Sequence, residues 1–281
     1  MKTRRIGDVE VSALGLGGMP MSIDGRPDRE RSIATIHAAL DAGITLIDTA
    51  DSYTTEPEGP GHNERLIAEA LRGRSEKVLI ATKGGHIYRK GGPWDRNGDP
   101  AYLKKAARES VARLGVKAIG LYQFHRPDPT VPYEDSIGAL KELLDEGVIL
   151  MAGISNATIE QIRIADRVLG GRLVSVQNQF SPSYRSSLAE LQYCVENEIA
   201  FLAYSPLGGI GRQDYSGSEF EKVGGELGVS PQQVALAWEL SLGHTVIPIP
   251  GASRPESITD SAKASELTLS ADQLLSLSAA S

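Results

Sequence analysis

The stretch TLIDTADSY, Thr45 to Tyr53, begins as an apolar run and then delivers two aspartates and a tyrosine within six residues. A short run of this kind, bounded by polar residues, reads as a strand buried on both faces. Its ionisable groups therefore fall at the strand's C-terminal end. The same construction recurs along the chain: LGLGG (14–18), TLIDTA (45–50), KVLIAT (77–82), AIGLYQF (118–124), GVILMAGIS (147–155), LVSVQNQ (173–179), IAFLAYS (199–205) and TVIPIP (245–250) make eight apolar runs.

Helix-length segments separate them. DRERSIATIHAALDAG puts Ile33, Ile36, Ala39 and Leu40 on one stripe and stops at Gly43, where a left-handed C-terminal residue belongs. Four further segments repeat the scheme, with Asp99, Glu134/Asp135, Asn156 and Ser230-Pro231 as predicted starts. Eight strands alternating with helices predict an α/β fold, a (β/α)8 TIM barrel spanning residues 1–281 as one domain. An open doubly wound sheet would want a G-x-G-x-x-G turn leading into a helix. GLGGMP (15–20) has Pro20 at the last glycine position and polar loop after it, so that signal fails.

Composition narrows the function. The 281 residues carry 29 Lys+Arg against 36 Asp+Glu, a formal charge of −7, with the basic residues scattered. No surface is laid out for a phosphate backbone, and no nucleic-acid partner is expected. Cys194 is the only cysteine, which excludes an intrachain disulfide and fits a reducing compartment. The opening MKTRRIGDVE leads into no apolar targeting segment and no run approaches the roughly 20 residues of a membrane helix, so a cytoplasmic protein without a membrane partner is expected.

In such a barrel the residues immediately after each strand face one cleft. Here they include Asp48 and Tyr53, Lys83, His125, Ser155-Asn156, Gln177, Tyr204-Ser205-Pro206-Leu207, and Gly251 to Arg254. An acid, a phenol, an amine and an imidazole on one rim make a proton-handling site. Tyrosine, with a pKa of about 10, is a weak donor at neutral pH. A neighbouring ammonium from Lys83 is expected to lower that value, with Asp48 holding the ammonium and His125 hydrogen-bonding an oxygen that gains negative charge. This set suits protonation of a carbonyl oxygen as hydride reaches its carbon. No metal is expected: the histidines are isolated and no H-x-H pair occurs.

At these residues the sequence resembles the aldo-keto reductase family over nearly its whole length. LGLGGMPM, LIDTADSY, ATKGG, YQFHRPD, GISN, QNQFSP, AYSPLGG and IPGASRPESI are similar to the family's strand-end motifs, in order. The resemblance implies Asp48, Tyr53, Lys83 and His125 as the catalytic tetrad and NADPH/NADP+ as cofactor, with NADH weaker. It implies Ser155, Asn156 and Gln177 at the nicotinamide carboxamide, Tyr204 under the ring, Ser205 and Leu207 along the pyrophosphate, and Ser253 and Arg254 at the adenosine 2′-phosphate. The family often has lysine where Gly251 stands and an acidic-Asn pair where Asp260-Ser261 stands.

The expected partner is a small-molecule carbonyl substrate. Met19, Met21, Tyr88 and Trp94 are its candidate walls, within loops 19–30, 84–98, 126–132 and 208–220. Asp51 is expected to be a turn or cap residue, Arg126 and Asp128 loop residues that either pair with each other or touch substrate, and Trp238 packing. The alternative to an enzyme is a cofactor-binding regulatory subunit of the channel-associated kind, with little turnover.

Overall fold

The computed structural model describes residues 1–55, 58–89, 94–209 and 213–280. The chain opens with an antiparallel hairpin, β1 (Thr3–Ile6) and β2 (Val9–Ser12). Eight parallel strands follow: β3 (Leu16–Gly17), β4 (Leu46–Asp48), β5 (Leu79–Gly84), β8 (Leu121–Phe124), β9 (Ala152–Ser155), β10 (Leu173–Gln179), β11 (Ala200–Tyr204) and β12 (Val246–Ile249). A small second hairpin, β6 (His86–Ile87) with β7 (Asp95–Arg96), projects between β5 and β8.

The eight strands lie in chain order, and the two ends of the sheet meet. The Gly15 and Gly17 amides each donate at 3.0 Å to the Pro248 and Pro250 carbonyls, and Gly17 bridges Gly251. Glycine is required at this seam. A Cβ on Gly17 would stand 2.9 Å from the Ile249 carbonyl oxygen. The predicted (β/α)8 barrel is the observed one.

Helices α1 (Arg29–Asp41), α2 (His62–Ala70), α3 (Pro100–Leu114), α4 (Tyr133–Asp145), α5 (Ile159–Leu169), α6 (Leu188–Glu196), α7 (Glu219–Leu227), α8 (Pro231–Ser241), α9 (Pro255–Lys263) and α10 (Ala271–Ala279), with short 3-10 turns at Met19–Met21 and Ala264–Glu266, complete the described elements. The stripe predicted for α1 is buried at Ile36, Ala39 and Leu40, and Gly43 has φ of +86°. Asp99 and Ser230 cap α3 and α8 as expected. Two predicted starts shift. Pro132 precedes α4, leaving Glu134 and Asp135 in its first turn, and Thr158 caps α5 through a reciprocal capping box with Gln161. Asn156 is instead a left-handed residue at the strand end, with φ of +56°.

Both strand faces are buried, which explains the continuous apolar runs. The outward residues Tyr122, Phe124, Ile154, Val176 and Phe201 pack under the helices, with Trp238 stacked on Phe180 as packing. Leu46, Leu79, Ala81, Leu121, Leu202 and Ile247 share a second cluster, which Ile6 and Val11 of the hairpin join. Two residues further along the strands the composition changes. Asp48, Lys83, Gln123 and Gln177, which follow Leu46, Ala81, Leu121 and Ser175 by two, form one buried polar layer at the C-terminal ends.

Candidate active site

Strand β4 delivers Asp48 into this layer and the following turn returns Tyr53 to it. The turn is tied down: the Asp51 amide donates to the Lys83 carbonyl at 3.2 Å and the Gly61 amide to the Asp51 carbonyl at 2.6 Å. Asp51 itself is buried, and its Oδ1 has no partner.

Lys83 from β5 is fully buried and occupied by three acceptors. Its Nζ donates to Asp48 Oδ1 at 2.6 Å, the Thr49 carbonyl at 2.9 Å and Tyr53 Oη at 3.1 Å. Asp48 Oδ2 accepts from Gln177 Nε2 at 2.7 Å and Gln123 Nε2 at 3.5 Å. Burial works to strip the ammonium of its proton, but Asp48 and Tyr53 outweigh it and the Lys83 pKa ends above the ordinary lysine value. The ammonium persists.

Tyr53 departs from the expectation. Burial raises its phenol above the usual value; Lys83 pulls it down but does not overcome burial and the Asp48 charge. The sequence reveals the cation but not the desolvation. Tyr53 thus rests as a neutral, protonated phenol. His125, whose ring lies 5.8 Å from that of Tyr53, is held well below the usual histidine range by burial, with Lys83, His86 and Arg126 acting in the same direction. Its Nδ1 is sealed in without a partner, leaving Nε2 for a ligand.

These residues line one cavity of about 680 Å³. It contains Asp48, Tyr53, His125, Ser155, Asn156, Gln177, Tyr204, Ser205, Leu207, Ser253 and Arg254 of the predicted set, with Met19 and Trp94. Lys83 lies just beneath. The Ser155 hydroxyl donates to the Gln177 carbonyl at 2.7 Å, Asn156 Nδ2 to the His125 carbonyl at 3.0 Å, and the Tyr204 hydroxyl to Asn156 Oδ1 at 2.8 Å. Asn156 and Ser205 are two of the three non-glycine residues with positive φ among those described. A left-handed conformation at such residues costs on the order of 1 kcal/mol, and strain of this kind collects at ligand sites.

Two pocket predictions are corrected. Met21 is fully buried in the cluster between α1 and α2, because the turn Met19–Met21 sends its two methionines to different sides. Tyr88 stands behind Trp94, ring centroids 5.9 Å apart, and does not line the cavity. Asp128 is taken by the Gly98 and Thr130 amides and the Thr130 hydroxyl, so the expected Arg126–Asp128 pair does not form. Parts of loops 84–98 and 208–220 lie outside the described residues.

Nothing in the sequence singles out His86 or Gln123 as a site residue. With the bounds of β8 known, counting back by two from His125 finds Gln123. His86 follows the Gly84-Gly85 pair and reaches His125, at 4.9 Å, only through the small hairpin.

The family model for the aldo/keto reductase family matches residues 13–281. An uncharacterised oxidoreductase of Schizosaccharomyces pombe is 35% identical over 274 residues, covering 96% of this chain and 87% of that protein. The glycerol dehydrogenase of Gluconobacter oxydans superposes with a TM-score of 0.85 at 29% identity, covering 98% and 93% of the two chains. An aldo/keto reductase of Klebsiella pneumoniae, solved with NADP and acetate, gives 0.83 at 27% identity over 98% and 94%. A barrel of this topology, carrying the acid, phenol, amine and imidazole at its strand ends and matched by one family model from residue 13 onward, belongs to the aldo/keto reductase family.

Proposed function

We propose that the protein is an NADPH-dependent oxidoreductase that reduces aldehydes and ketones to alcohols, with Tyr53 as the general acid. The observation that carries this reading is the Lys83 ammonium placed between the Asp48 carboxylate and the Tyr53 hydroxyl. A phenol with a raised pKa still protonates an alkoxide, which is far more basic. As the phenolate forms, Lys83 at 3.1 Å supports the charge without rearrangement. His125, neutral at physiological pH, holds the carbonyl oxygen by hydrogen bonding, and Asp48 fixes the ammonium.

The cavity's far end suits the cofactor. Arg254 is exposed beside the start of α9, whose N-cap provides no side-chain bond to the helix amides, so guanidinium and helix N-terminus converge where a phosphate would sit. Ser155, Asn156 and Gln177 would hold the carboxamide, Tyr204 the ring face, Ser205 and Leu207 the pyrophosphate, and Ser253 with Arg254 the 2′-phosphate. The Klebsiella pneumoniae relative's complex with NADP supports the same choice. When bound, the reduced nicotinamide supplies the hydride. Glu256, in the first turn of α9, lines the same end and opposes a phosphate there.

Following NADPH absorbance with 4-nitrobenzaldehyde tests the reading. Steady turnover supports it; tight NADPH binding without turnover of any carbonyl compound would favour a cofactor-binding regulatory protein.

A further inference from the structure

We propose that the substrate end of the cavity selects carbonyl compounds that carry a carboxylate, held by the Arg126 guanidinium with the His86 imidazole a few atoms from the reacting carbonyl. This rests on the reductase reading and names the substrate class of that same site.

Arg126 directly follows His125 at the end of β8, is half-buried, and lines the cavity with His86, Trp94 and His125. Among the described residues no carboxylate pairs with it. The nearby acids are committed elsewhere: Asp128 to Gly98 and Thr130, Asp95 to Arg89, and Asp48 to Lys83. Of the remaining cavity acids, Asp260 is held at 2.6 Å by both the Ser230 hydroxyl and Gln233 Nε2. Asp24 and Glu256 come from the segments after β3 and β12.

The two imidazoles register the same imbalance. Burial first, then Arg126, Arg96 and Lys83, together bring His86 down to about 4, and no acid acts against them. His125 likewise has only cationic or imidazole neighbours acting on it. Both rings are neutral donors near pH 7, and the Nδ1 of each is buried without a partner. A planar guanidinium, hydrogen-bonded to the Tyr204 hydroxyl but paired with no carboxylate among the described residues, beside neutral ring donors, matches a carboxylate in geometry and sign. Trp94, 4.7 Å from the His86 ring, offers an apolar wall for the body of the substrate.

The test compares 4-carboxybenzaldehyde with methyl 4-formylbenzoate, which differ in charge and little in shape. Calorimetric titration of the protein in the presence of NADP+ should give the carboxylate a Kd lower by roughly tenfold. Arg126→Gln should bring the ratio of the two to near one, with Arg126→Lys retaining part of the preference. The kcat/KM ratio should follow, through KM. Equal binding of both compounds by the wild-type protein, or a carboxylate preference that survives Arg126→Gln, overturns the inference. Carboxylate-selective binding without turnover of either compound leaves this site standing and counts against the reductase reading instead.

Discussion

Lys83 Nζ stands 2.6 Å from Asp48 Oδ1 and 3.1 Å from the Tyr53 hydroxyl, so one buried ammonium serves a carboxylate and a phenol together. All three groups are buried. Removing one member of such a buried pair strands the other, at a cost of about 3–5 kcal/mol. Lys83→Met should therefore lower thermal stability and abolish carbonyl reduction. The double variant Asp48→Asn/Lys83→Met should regain most of the lost stability without regaining turnover. Melting curves beside NADPH oxidation rates check this; joint recovery of both properties would assign Lys83 a purely structural role.

The pH dependence follows from the raised phenol and the depressed imidazole. In the proposed role Tyr53 must be protonated to act on the carbonyl, and its pKa lies above the ordinary tyrosine value of about 10. Reduction should hold through neutral and mildly alkaline pH and fall only as pH rises through that value. Alcohol oxidation should rise over the same range. His125, held well below 6.5, should add no loss between pH 8 and about 6.5. Profiles of kcat in both directions supply the check.

At the end of the cavity proposed for the cofactor, Arg254 and Glu256 carry opposite charges. Arg254→Ala should weaken NADPH by about tenfold or more and NADH by less than about twofold, because only NADPH brings a phosphate to the guanidinium. Glu256→Gln should act in the other direction and tighten NADPH selectively. Fluorescence titrations with both nucleotides decide; equal shifts for NADH and NADPH would remove the 2′-phosphate from this end of the cavity.

Glu239 on α8 is fully buried, and neither carboxyl oxygen has a partner. Burial raises its pKa well above the usual value, so it is protonated in the fold and ionised in the unfolded chain at neutral pH. Its proton is released on unfolding, and its contribution to stability falls as pH rises above about 4.3 towards the folded pKa. Glu239→Gln removes that dependence. The melting temperature of the variant should gain on the wild type steadily from pH 5 to pH 8; a constant difference would mean the carboxyl has found a partner.

Asp48, Lys83 and His125 were legible in the sequence because each ends an apolar run, and in a parallel barrel that position alone directs a side chain into the cleft. Gln177 and Tyr204 were legible for the same reason. The β1–β2 hairpin was not: Thr-Arg-Arg-Ile and Val-Glu-Val-Ser expose half their residues, and only Ile6 and Val11 betray the buried face. Met19 and Met21 look equivalent in sequence, and only the tight turn separates them. The phenol's direction of shift was hidden for another reason. A sequence names the charges near Tyr53, but the depth of burial that outweighs Lys83 comes from the helices and loops closing over it.

The central claim is that the Tyr53 hydroxyl gives its proton to the reduced oxygen, and Tyr53→Phe removes that hydroxyl and little else. Single-turnover reduction of 4-nitrobenzaldehyde, with NADPH binding measured on the same preparation, tests it most directly. The rate of the chemical step should fall by about 10² to 10⁴-fold while the NADPH Kd stays within about twofold. A rate within tenfold of wild type, or an equal loss of rate and cofactor affinity, would contradict the account.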